Sequence, residues 1–289
     1  SSDVCSSDLD IVLYSQGKPI SLMFKWLPSE NASSSRTKKL AKFIRESMQM
    51  SPKQYRQTLS KLRKYIDITE VKMSANKWDD IDYEKVPSKA NLNYANAFMR
   101  HDENRRLGYL ESLKRGEKKI NAEALFLHDI VGKYIKSPYF RTVESVCSYD
   151  ETLEQMWKAQ KGVDGFENTI VARDGSGSML CRIGNTNITA LDIADAITLY
   201  CAENNTGEYK DKFITFSKQA KLIDVSAKKS LYDRLVRLRK ENSCENTNIE
   251  SVFNLILRTA VEHNVSIKDM PTTVLIVSDM EYEIGRAHV

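Results

Sequence analysis

No stretch of this 289-residue chain approaches the roughly 18 consecutive apolar residues of a bilayer-spanning helix, so such a helix is excluded and no membrane partner is expected. Cysteine is scarce: the five residues include no C-x-x-C pair, which argues against a zinc ribbon and against a secreted disulfide scaffold and leaves a cytoplasmic location as the expectation. The polar excess of an unfolded chain is also missing, since 41% of residues are hydrophobic and the mean hydropathy is −0.46. The length suits one large or two ordinary domains. A net charge of +4 is mildly basic, and its distribution matters more than its sum.

The two ends share an unusual relation. Asp3–Leu9 reads DVCSSDL and Glu283–Val289 reads EIGRAHV. Written as GAC GTG TGC TCT TCC GAT CTC, the first segment has a reverse complement whose codons spell the second. That DNA resembles a sequencing-library adapter, so residues 1–9 and 283–289 are read as adapter-derived and set aside from fold reasoning. Cys5 and His288 then leave any site argument. The remaining chain is expected to be an internal fragment with 42 basic and 36 acidic side chains.

Residues 10–160 read as a basic helical domain. Gly17–Leu27 suggests a short extended stretch, followed by a Ser-rich linker at Ser29–Ser35. Leu40, Phe43, Ile44 and Met48 recur at helical spacing. Ser51-Pro52-Lys53-Gln54 is a capping box with Pro in the first helical position, and Tyr55, Leu59, Leu62 and Ile66 form the apolar stripe behind it. Ser88 is placed to cap a helix carrying Leu92, Ala95 and Met99. Another helix spans about Glu103 to Arg115 before Gly116, and Asn121 caps a segment through Leu125, Ile130, Val131 and Tyr134. Short helices joined by short turns suggest a helical-repeat layer or an irregular bundle.

Charge in this half is concentrated. Ten cations (Arg36, Lys38, Lys39, Lys42, Arg45, Lys53, Arg56, Lys61, Arg63 and Lys64) face Glu46 alone between Arg36 and Lys64. With the apolar stripes turned inward, these cations are expected to project outward over two successive helices. Such a face attracts polyanions, phosphate backbones above all, though a merely solvated helix surface has the same composition. Tyr55 and Tyr65 suit either base stacking or core packing. His101 and His128 lack metal-spaced partners and read as structural, as do Trp78 and Pro87 in a helix–helix connection.

Residues 166–282 alternate between strand and helix. Thr169–Arg173 is a β-branched run entering Asp174-Gly175-Ser176-Gly177-Ser178-Met179, and a buried helix follows at Ile188–Tyr200. Strands are expected at Phe213–Phe216, Lys221–Val225 and Thr273–Val277, with helices marked by Leu231, Leu235 and Leu238 and by Val252, Ile256 and Ala260. The order β-α-β-β-α-α-β predicts a Rossmann-like sheet covered by helices on both faces. The loop after the first strand lies where α/β proteins bind ligands. It has no Lys for a P-loop, has Leu180 where a dinucleotide loop needs its third Gly, and has Asp174 where a nucleophile elbow needs Gly. Asp174, Ser176 and Ser178 remain, three short oxygen side chains on one permissive turn. Oxygen donors without Cys or His suit Mg²⁺, Mn²⁺ or Ca²⁺. The other thiols, Cys147, Cys181, Cys201 and Cys244, read as small buried or half-buried side chains, with Cys181 close to the loop.

Asp174, Ser176 and Ser178, then Thr247 opening a helix at Thr247-Asn248-Ile249-Glu250, then Asp279 after TVLIV, resemble in order and context the metal-ion-dependent adhesion site (MIDAS) of a von Willebrand factor A (VWA) domain. The resemblance implies direct metal contacts from Ser176 and Ser178, a contact from Thr247 either direct or through water, and water-mediated roles for Asp174 and Asp279. It also implies an open coordination position for an acidic group of a partner, and a sheet truncated after its fourth strand. Thr247 also suits a simple helix cap, and Asp279 an ordinary turn.

Tyr55–Val71, Met73–Trp78, Tyr83–Ala90 and Phe98–Asp102 look like the Ro/TROVE family, and most like its uncharacterised relatives of the domain-of-unknown-function 2828 type. In that family helical repeats join a VWA-type domain, and the Ro branch binds structured RNA. The expectation is a non-enzymatic binding protein whose helical domain takes RNA and whose second domain takes an acidic partner through Mg²⁺. One alternative is a protein-interaction scaffold that uses the metal without RNA; a remote one is a metal-dependent phosphoesterase.

Overall fold

The computed structural model describes residues 6–66, 68–136, 142–160, 168–216, 219–241 and 248–279, with residues 6, 7 and 216 described by their backbone alone. The chain divides into two compact units, Ser1–Asp82 and Tyr83–Val289. An all-helical region precedes a four-stranded α/β region, as the hydrophobic periodicity predicts. The division by compactness differs from the division by composition: helices after Tyr83 belong to the unit that holds the sheet.

The first unit contains α1 (Ser6–Ser15), α2 (Met23–Trp26), α3 (Ser35–Ser47), α4 (Pro52–Tyr65) and α5 (Thr69–Ser74). Gly17–Leu27 is not extended; it holds the single turn α2. Asp10 explains this locally, accepting from the Ser21 backbone N–H at 2.8 Å and from its hydroxyl, while Ser21 Oγ accepts from Met23 N–H at 3.1 Å and starts the turn. The Ser51–Gln54 capping box forms as expected. Phe24, Ala41, Tyr55, Leu59 and Leu62 make the core, with Ile44 and Met48 packed against it. Leu40 and Phe43, expected on the inward stripe, are exposed at 51% and 68%. The small Ala41 takes the inward position, in one cluster with Phe24 of α2 and with Tyr55, Leu59 and Leu62 of α4.

In the second unit α6 (Ser88–His101), α7 (Glu103–Lys114), α8 (Leu127–Val131) and α9 (Glu151–Lys158) precede the sheet. Ser88 does not cap α6; Pro87 occupies the cap and Ser88 is the first helical residue. Asn121 caps nothing, since its amide donates to the carbonyls of Glu84 and Val86, and α8 starts only at Leu127. The end of α7 is as expected: Gly116 at φ +72° lets its N–H reach Leu113 O and lets Glu117 N–H reach Ser112 O, a Schellman stop.

Strands β1 (Thr169–Asp174), β2 (Lys212–Phe216), β3 (Lys221–Asp224) and β4 (Thr273–Val277) form one sheet in the order β3-β2-β1-β4. β1 is parallel to β2 and to β4, and β3 is antiparallel to β2. The chain leaves β1 through α10 (Ala190–Asn204) to β2 and β3, then returns through α11 (Leu231–Arg239) and α12 (Glu250–Glu262) to β4 on the far side of β1. All six β1 residues are buried, as a central parallel strand requires. Ile170 and Ala172 pack toward Val252 and Ile256 of α12. The alternate residue Arg173 points to α10, so helices cover both faces.

Candidate functional site

The strand order reverses direction between β1 and β4, and open α/β sheets bind ligands at such a switch point, outside the carboxyl ends of the strands. The register pairs Arg173 with Val277, which sets Asp174 and its loop beside Ser278 and Asp279. Asp174 is 1% exposed, and both its carboxylate oxygens are engaged. Oδ1 accepts the Ser176 N–H at 2.8 Å and Oδ2 accepts the Ser278 hydroxyl at 2.8 Å. The first bond folds the loop back; the second ties it to the neighbouring strand across 104 residues of sequence.

Ser176 Oγ and Ser178 Oγ stand 3.0 Å apart, both half-buried, with Gly177 exposed between them. A buried carboxylate and two converging hydroxyls form an all-oxygen donor set, whose chemistry fits a hard divalent cation. Among the described residues no three His, Cys, Asp or Glu side chains cluster, so any cation here rests on hydroxyls as much as on carboxylates. Asp279 lies half-buried at the same sheet end. Thr247 falls outside the described residues. The helix it was expected to open begins at Glu250, where Asn248 Oδ1 accepts from Ser251 N–H at 3.2 Å.

The loop does not run directly into a helix. Ser178–Leu180 forms a 3₁₀ turn, an antiparallel bridge joins Arg182 to Thr189, and only then does the Thr189–Asp192 capping box open α10. Beneath the loop lies a feature that the apolar reading of this helix passed over. Arg173 Nε donates to Asp195 at 2.7 Å, Arg239 Nε lies 2.6 Å from Asp195, and Arg239 Nη2 donates to Asp192 at 3.0 Å, all essentially buried. Burial pulls the Arg173 guanidinium below its ordinary pKa, and Asp195 opposes that pull. Two aspartates three residues apart in an otherwise apolar helix were the available signal for this network. Ser278 was a second missed residue, visible only as the partner of a distant carboxylate.

On the helical face, Arg36, Lys38, Lys39, Lys42, Lys53, Arg56, Lys61 and Lys64 are exposed, with Lys42 paired with Glu46 at 3.9 Å. Arg45 and Arg63 are not part of that face. Arg45 donates to Glu30 at 2.8 Å and to Met50 O at 2.9 Å. Arg63 donates to Leu27 O at 2.5 Å, Ser29 Oγ at 3.0 Å and Phe24 O at 3.1 Å. The short α2 leaves orphan carbonyls, and a planar five-donor guanidinium is suited to collect them. Tyr55 is core, its hydroxyl donating to Pro28 O at 2.9 Å, and Tyr65 bonds Lys18 O at 3.0 Å. Cys181 is exposed and Cys201 is buried, where burial pushes its thiol up to about 12. No described helix is long and apolar enough to cross a membrane.

Comparison with known proteins adds family and no activity. A model described as a domain of unknown function, DUF2828, matches residues 2–168, and another, DUF7788, matches residues 168–288. A protein of Acanthamoeba polyphaga mimivirus, named "Uncharacterized protein L728", is 30% identical over 301 aligned positions covering 97% of this chain. The chain spans 50% of that relative's length. No solved structure matches. With more than half of its residues matched by the first model, the chain belongs to the DUF2828 family.

Proposed function

We infer that this protein is a non-enzymatic binding protein, in which a divalent-cation-dependent interaction site on the α/β sheet is joined to a helical unit that binds RNA. The observation that carries the reading is the meeting of Asp174, Ser176 and Ser178 with the end of β4 at the topological switch point. The loop and the strand end that meet at one end of the sheet support the VWA resemblance, and the helical region that precedes the sheet supports the Ro/TROVE one. Ser176 and Ser178 would hold Mg²⁺, or Mn²⁺ or Ca²⁺ in its place, with Asp174 and Asp279 supplying negative charge and Thr247 completing the set. Bound there, the cation supplies uncompensated positive charge for an acidic group of a partner protein. Asp174 acts as an orienting acceptor and not as a base, because both its oxygens are already committed. The cytoplasm, rich in Mg²⁺ and in RNA, is a compartment that suits this reading.

The test is calorimetric titration of the chain with Mg²⁺ and Mn²⁺. Saturable binding that is lost in Asp174→Ala and weakened in Ser178→Ala supports the site. Binding unchanged in both variants, or no binding by the wild type, overturns it. Thermal melts of each variant separate loss of the site from loss of the fold.

A further inference from the structure

In the first unit a cavity of about 700 Å³ opens between α4, α5 and the segment around Ser29, within the size range of small-molecule sites. Leu59, Ile68, Val71 and Ala75 contribute its apolar floor, and Val71 is 44% exposed there. Arg56 and Lys64, on one face of α4 and about 12 Å apart along its axis, stand on the rim with Lys77. Two further lining cations are already employed: Arg63 holds the carbonyls of α2, and the Lys72 ammonium donates to Asp80 O at 2.6 Å. Of the two lining carboxylates, Glu30 is paired with Arg45, which leaves Asp80 against three rim cations.

An apolar floor under a cationic rim selects a ligand with a flat, weakly polar body and an anionic head. Nucleobases pack well between apolar side chains, and phosphate is the anion that several converging Lys and Arg hold best. An amphipathic acidic helix would need a succession of pockets at its i, i+3 or i+4, and i+7 positions. This groove supplies four apolar side chains, Leu59, Ile68, Val71 and Ala75, and such a peptide is one arm of the test. We propose that the groove is a nucleoside-phosphate site, with the base on Leu59, Ile68, Val71 and Ala75 and the phosphate between Arg56, Lys64 and Lys77. The proposal deepens the RNA reading of this unit, and the nucleotide is either the end of an RNA strand or a free nucleotide.

Equilibrium dialysis of the full chain against radiolabelled adenosine monophosphate, beside anisotropy with a short labelled single-stranded RNA, tests it. Arg56→Glu with Lys64→Glu should weaken both ligands by about tenfold or more. Val71→Trp fills the groove from an exposed position and should weaken adenosine monophosphate by a similar factor; Ala75→Trp, also exposed, serves if that variant does not fold. Lys39→Ala with Lys42→Ala, on α3, should leave adenosine monophosphate unaffected and weaken RNA alone. RNA binding without nucleotide binding overturns the groove and leaves the RNA reading standing. Nucleotide binding without RNA binding keeps the groove, as a free-nucleotide site, and overturns the RNA reading. Nucleotide binding indifferent to Val71→Trp and Ala75→Trp, or an acidic amphipathic peptide that binds where adenosine monophosphate does not, overturns the proposal.

Discussion

Asp195 is fully buried between two guanidinium groups, with Arg173 Nε at 2.7 Å and Arg239 Nε at 2.6 Å, and Asp192 accepts from the far side of Arg239. Two cations and two carboxylates meet there, and the neighbouring Asp174 carboxylate also acts on Arg173. Deleting one carboxylate leaves guanidinium charge in a medium that solvates it poorly, so Asp195→Ala is expected to lower the unfolding free energy by about 3–5 kcal/mol. Urea melts measure this, and a loss well under 1 kcal/mol would mean that water reaches the arginines. The two aspartates were legible in the sequence as odd charges in an apolar helix. Their partner was not, because Arg239 lies 47 residues from Asp192 and only the packing of α11 against α10 brings them together.

At the scale of elements, α9 shows how polar side chains fasten helices to one another. Glu154, 3% exposed, accepts the backbone N–H groups of Leu231 and Tyr232 at 2.8 and 3.0 Å, capping α11 from outside, and takes the Tyr134 hydroxyl at 2.8 Å. Burial and then Glu154 push the Tyr134 phenol far above its ordinary range. One turn earlier, Glu151 meets Lys114 of α7 at 3.1 Å. Burial opposes ionisation of Glu151, but hydrogen bonds from Gln155, Tyr149 and Lys114 outweigh it and hold the carboxyl below its ordinary 4.5. A carboxyl depressed in the folded state stabilises above its unfolded pKa, and that contribution is lost as pH falls through the folded value. Stability is therefore expected to decline below about pH 4.5, and Glu151→Gln should remove part of that decline while sharing the wild-type slope near neutrality. Equal acid slopes for both proteins in urea titrations would refute the assignment. Helix ends were readable where the signal was local, as at Ser51–Gln54 and Gly116, and misread where a distant carbonyl claimed the side chain, as at Asn121.

At the scale of the molecule, eight cations on α3 and α4 are exposed while Arg45 and Arg63 turn inward, and one of the eight, Lys42, pairs with Glu46 at 3.9 Å. If about four phosphates are neutralised, the log of RNA affinity should fall with the log of salt at a slope of roughly −3 to −4. Filter binding from low to physiological salt reads this slope, and a flat dependence would remove the RNA role. The alternation of strand and helix, the Asp174–Ser178 loop and the basic run follow from nearest-neighbour chemistry: side-chain periodicity, turn residues and charge spacing act over a few positions. What the chain could not announce locally is which strand lies beside which. Ser278 meets Asp174 only because β4 docks against β1 on the side opposite β2, a choice made by burial of the whole sheet. The inward turn of Ala41 in place of Leu40 and Phe43 has the same origin: apolar residues lie on more than one side of α3, and only packing against its neighbours selects the side of Ala41, Ile44 and Met48.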